Sequence, residues 1–134
     1  MSVTVSWADE ARTIIRLDFS EPYTGQDYLN ALLAQEPYFD AATVEIVHLI
    51  YCHNGLPMPE GLFKNIPNIR KKSPATNHPR SGKIIYVDMS PGWEAALNVY
   101  LNVYPEQRDK FRFTKTIEEA FALIERLEFD PSAK

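Results

Sequence analysis

At 134 residues and 15.4 kDa the chain is long enough for one domain of ordinary size with a real hydrophobic core, and too short for two. With 45% hydrophobic and 12% aromatic residues against 24% charged, it has the make-up of a folded globular protein and not of a disordered tail. A net charge of −4 argues against a nucleic-acid binder, and apolar stretches interrupted by Glu45, His48, Asn98 and Asn102 fall short of the ~18–20 residues of a membrane helix. A single domain over 1–129 is expected, with a C-terminal tail over 130–134 that frays. The first seven residues lack the charged head and apolar run of a signal peptide, so a cytoplasmic location is expected. The lone cysteine, Cys52, leaves no partner for an internal disulfide and no multi-cysteine zinc site.

In chain order, Val3, Val5 and Trp7 alternate with polar residues, and residues 12–19 alternate again with Thr13, Ile15, Leu17 and Phe19 on one side. The short polar turn between them predicts an antiparallel hairpin. Thr24 with Asp27 reads as an N-cap, and Tyr28, Leu29, Leu32 and Leu33 recur at helical spacing until Pro37. Residues 44–51 are apolar on both faces and rich in branched side chains, as in a central parallel strand.

Five of the ten prolines, Pro57, Pro59, Pro67, Pro74 and Pro79, crowd the next segment. It predicts a short helix over 59–63, ended or kinked at Pro67, and a mobile loop over 71–81. A buried strand over 82–88 follows, then Ser90-Pro91 opening a helix over 91–104, a short strand over 111–113, and a helix capped by Thr116 and Glu119. This order predicts an α/β fold: a two-layer sandwich on a mixed, mostly parallel sheet of about five strands, with an N-terminal β-hairpin and about four helices.

Charge is unevenly distributed. Lys64, Arg70, Lys71, Lys72, Arg80 and Lys83 lie in a segment with no acidic residue, while the other eight basic residues face all eighteen acidic ones. Such a basic patch reads either as a solvated loop or as a footprint for an acidic or phosphate-bearing partner.

The five glycines form neither a dinucleotide fingerprint nor a phosphate loop, so no cofactor is expected. His48 and Cys52 on one strand are about 13 Å apart at ~3.3 Å per residue, and Cys52 and His53 diverge to opposite faces. Neither a metal site nor a Cys–His nucleophile pair assembles from that spacing, and no catalytic residue is assigned. Cys52 and His53 nevertheless stand at the carboxyl end of a parallel strand, where open α/β sheets hold ligands. The helix from Pro91 carries two apolar strips, Trp93, Leu97 and Tyr100 in one and Ala95, Val99 and Val103 in the other. The excess reads as a partner interface, a ligand pocket or contact with neighbouring core.

Together these features resemble the STAS domains of anti-sigma-factor antagonists, in particular the SpoIIAA-like branch of the STAS/SEC14 group of small bacterial proteins. The carriers are the opening hairpin ending in Trp7, the strand 44–51 running into Asn54-Gly55-Leu56-Pro57, the strand 83–87, Val103-Tyr104-Pro105, and Phe113-Thr114 before Thr116-Ile117-Glu118-Glu119-Ala120. The resemblance covers the chain from Val3 to Leu127. It implies a non-enzymatic regulatory module that binds a protein partner or a second copy of itself. In this group a serine in the turn after the third strand takes a phosphoryl group; aligning Gly55 and Leu56 puts Asn54 at that position, and asparagine cannot be phosphorylated.

The SEC14 side of the group implies an alternative, a carrier or sensor of a small apolar, lipid-like ligand. The expected partner or ligand surface comprises Cys52, His53, Asn54, Gly55, Leu56, Met58, Phe63, Trp93, Leu97 and Tyr100. Neither nucleic acid nor a metal is expected to bind.

Overall fold

The computed structural model describes residues 2–129. Strand β1 (Val3–Trp7) pairs antiparallel with β2 (Ile14–Phe19), with Val3 opposite Phe19 and Trp7 opposite Ile15. Asp9 closes the hairpin by accepting the backbone N–H groups of Thr13 (2.9 Å) and Ile14 (3.1 Å) and the Thr13 hydroxyl. Beyond the hairpin, β3 (Val47–Cys52), β4 (Ser81–Val87) and β5 (Phe111–Thr114) add in parallel, giving one sheet ordered β1-β2-β3-β4-β5. The α/β architecture on a five-stranded, mostly parallel sheet is the one expected.

Each parallel step advances in the same direction across the sheet, so connections of the usual right hand all cross on one face. That face carries helices α1 (Gly25–Leu33), α2 (Glu36–Ala41), α3 (Ile66–Lys72), α4 (Pro74–Asn77) and α5 (Pro91–Val103). Alternation along the strands sends Leu49, Tyr51, Ile84 and Tyr86 into this main core with Phe19, Phe39 and Trp93. Ile50, Cys52, Ile85 and Val87 point the other way, under Ala120 and Ile124 of helix α6 (Ile117–Phe129). β3 is therefore buried on both faces from Leu49 to Cys52, as its run of apolar side chains beyond His48 requires. Among the described residues no helix is long and apolar enough to cross a membrane.

The expected caps are present. Thr24 and Asp27 cap α1 reciprocally, Ser90 accepts the Trp93 N–H at the start of α5, and Thr116 and Glu119 do the same work for α6. The helix count is about six, not four, and the difference lies at proline. Pro37, Pro67 and Pro74 each sit in the first turn of a helix, where the missing N–H has no intrahelical acceptor to lose. Thus α1 stops at Leu33 and α2 begins at Glu36, Pro67 starts a helix instead of ending one, and the expected loop over 71–81 contains the end of α3 and all of α4. Ser73, Pro74 and Ala75 of that segment are buried. The sequence expectation for the tail 130–134 falls outside the described residues.

Candidate functional site

The helical face of the main core carries a pocket that is partly open to solvent. A cavity of about 70 Å³ lies between the sheet and the α3–α4 corner. Its floor is Tyr51 of β3 and Tyr86 of β4, cross-strand partners whose rings meet edge-on at 5.5 Å, together with Ile84. Helical spacing supplies the walls: Tyr28 and Leu32, four apart on α1, and Trp93, Leu97 and Tyr100 on α5. Ile66, Ile69, Arg70, Ala75 and Thr76 close it from the α3–α4 side.

Polar groups are sparse and specific. The Tyr51 hydroxyl is paired with the fully buried Gln35 carboxamide, whose Nε2 lies 3.1 Å away. The Tyr28 and Tyr86 hydroxyls have no hydrogen-bond partner among the described residues, and burial holds both well above the ordinary tyrosine range, so they remain neutral donors. Arg70 brings the charge. Its guanidinium lies 4.3 Å from the Tyr104 ring centroid, and Nη2 is 3.5 Å from Oε1 of the exposed Glu106. Its Nε is buried with no acceptor. Burial also raises Tyr100, against the opposing pull of Arg70.

The expected partner or ligand surface divides. Trp93, Leu97 and Tyr100, expected on a partner or ligand surface, point inward and line the cavity. Cys52 lies on the far face beside the Arg16–Asp18 pair, and burial pushes its thiol up to about 11, so it is neither a nucleophile at neutral pH nor a cavity residue. His53 is fully buried, stacked 4.4 Å from Phe19 and edge-on to Trp93 at 4.7 Å, with neither ring nitrogen hydrogen-bonded. The two residues diverge as their adjacency on a strand requires.

Asn54 and Gly55 occupy left-handed conformations, with φ of 56° and 69°, and the Asn54 carboxamide donates to the Phe19 carbonyl at 2.8 Å. No helix begins there: the chain runs irregularly to a short 3-10 turn at Phe63–Asn65. Asn54 therefore stands in an irregular turn and not at the start of a helix. Leu56 and Met58 pack half-buried on the core, and Phe63 is 47% exposed.

The basic residues do not form one patch either. The Arg80 guanidinium caps the end of α2 by donating to the carbonyls of Phe39 and Ala42, and Lys83 donates to the Asp109 carbonyl. Arg70 serves the cavity, while Lys64, Lys71 and Lys72 face solvent.

One further cluster, Glu36, Asp40 and His78, brings its ligand atoms within 4.8 Å of one another. His78 Nδ1 accepts the Arg80 N–H at 3.1 Å, which leaves the ring proton on Nε2, facing Asp40 at 3.1 Å. A nitrogen that carries the proton offers no lone pair to a metal, and the His78–Asp40 contact is a link that ties α2 to the end of α4.

The cavity residues missed by sequence reasoning are Tyr28, Tyr51 and Tyr86 as hydroxyl carriers and Arg70 as its charge. The available signal was three tyrosines at core positions of otherwise aliphatic elements, where phenylalanine would pack as well without a hydroxyl to satisfy. No protein-family model, curated protein or solved structure matches the chain.

Proposed function

We propose that this chain is a non-enzymatic, cytoplasmic binding module that holds a small, largely apolar ligand in the cavity beneath the α3–α4 corner. The observation that carries this reading is the cavity itself: apolar walls with a few convergent donors are how proteins hold small molecules. Its size sets the ligand. Against the ~150 Å³ cavity that takes benzene, 70 Å³ holds about three non-hydrogen atoms. The carrier or sensor reading implied by the SEC14 side of the resemblance agrees with this placement. A binding role, not a catalytic one, is supported by Cys52 kept as a thiol on the opposite face and His53 held neutral without partners.

The test is a thermal-shift series with primary alcohols from ethanol to octanol, run on the wild type and on Ala75→Leu, whose added isopropyl group occupies the cavity. Ligand that binds only the folded state raises the melting temperature. Stabilisation is expected to peak near propanol and butanol in the wild type and to vanish in the variant. Equal responses of the two proteins along the series would contradict the reading.

The second reading, a protein-interaction module related to anti-sigma-factor antagonists, is favoured by the other strip of α5. Val99 and Val103 are 47% and 63% exposed on one line of the helix. A bare dimer in native mass spectrometry, with no alcohol response, would favour that reading over ours.

A further inference from the structure

Resting on the cavity reading above, we propose that the natural occupant is a short-chain carboxylate, with its alkyl chain in the cavity and its carboxylate on Arg70. The cavity wall contains one charged side chain, Arg70, and no Asp or Glu. The guanidinium is already immobilised, stacked on Tyr104, so a bound anion pays little ordering entropy there. Its Nε–H is buried and lacks an acceptor, and a buried donor left unmade is a standing loss that a carboxylate oxygen removes. Glu106 answers the charge only from outside, at 3.5 Å and itself more than half exposed.

The same short stretch of chain supplies further donors. Ser73 and Thr76 line the cavity beside Arg70, and the Tyr100 hydroxyl stands close enough to feel the guanidinium. Elsewhere in the lining, Leu32, Ile69, Ile84 and Leu97 offer only hydrocarbon. A molecule with a charged head at one end and roughly three carbons at the other matches this division. A cation would meet Arg70, and a longer chain would meet Tyr51 and Tyr86 at the floor.

The experiment is calorimetric titration of the full chain with butanoate and with butanamide, equal in shape and different in charge, at fixed ionic strength. Butanoate is expected to bind at least ten-fold more tightly than butanamide. Arg70→Met, which keeps an unbranched apolar stem and removes the guanidinium, should bring the two to parity, and Glu106→Gln should strengthen butanoate several-fold while leaving butanamide unchanged. The Glu106 variant changes only an exposed side chain, so it reads the same charge effect if the Arg70 variant does not fold. Equal binding of both ligands to the wild type overturns the carboxylate assignment and leaves the apolar cavity standing. Absence of binding by either ligand, in a protein that responds to propanol, also overturns it; absence of every response removes the cavity reading as well.

Discussion

His53 is enclosed by Phe19, Tyr86 and Trp93 with both ring nitrogens unpaired, and burial pushes its pKa down to about 3. The unfolded chain binds that proton near the ordinary value of ~6.5. The folded state thus refuses a proton that the unfolded state accepts, and stability falls as the pH drops from about 6.5 toward 3, by up to ~1.4 kcal/mol per pH unit. Replacing the ring with an apolar one of similar shape removes this term and the two orphan nitrogens together. His53→Phe should match or exceed the wild type at pH 7 and be clearly more stable at pH 5, measured by urea denaturation. Carboxylates such as Asp27, held low by hydrogen bonds from Thr24 and Ser2, contribute to both curves, so the difference isolates His53. Parallel curves from pH 7.5 to 4.5 would remove the assignment. That Cys52 and His53 diverge was legible from adjacency on a strand; the aromatic enclosure was not, because Phe19 and Trp93 come from distant parts of the chain.

At the scale of elements, the α3–α4 corner is the least regular part of the fold and the wall of the site. Its joint is Asn77, whose carboxamide Nδ2 lies 3.1, 2.9 and 3.0 Å from the carbonyls of Arg70, Lys71 and Ser73. A side chain of α4 thereby satisfies the open carbonyl end of α3, in the manner of a C-cap. Asn77→Ala should lower stability by about 0.5–1.5 kcal/mol. It should also weaken butanoate and butanamide equally, because the corner loosens while Arg70 keeps its charge; a change in their ratio would place Asn77 in recognition and not in support. The hairpin strands were legible because period-two alternation marks their faces, and the longer helices because N-caps mark their starts, as at Thr24, Ser90 and Thr116. The corner was not, since a proline read as a breaker from sequence is equally suited to the first turn of the next helix. Pro67 and Pro74 both took the second role.

For the whole molecule, the decisive feature is that every crossover lies on one side of a sheet whose strands follow chain order. That side must be tiled by five short or medium helices, while α6 covers the other alone. Tiling with pieces as short as α4 leaves the gap that becomes the cavity, and its lining runs from Tyr28 to Phe111. The alternation of strands and helices was readable residue by residue, whereas strand order and the cavity emerge only when distant segments meet. The central claim is that this gap receives a ligand, and methyl-resolved NMR with butanol as the probe tests it most directly. Saturable shifts confined to the methyl groups that line the cavity, those of Leu32, Leu62, Ile66, Ile69, Ile84 and Leu97 among them, and lost in Ala75→Leu, are the predicted result. Shifts gathered instead on Val99 and Val103, or unchanged by the filled cavity, would contradict it.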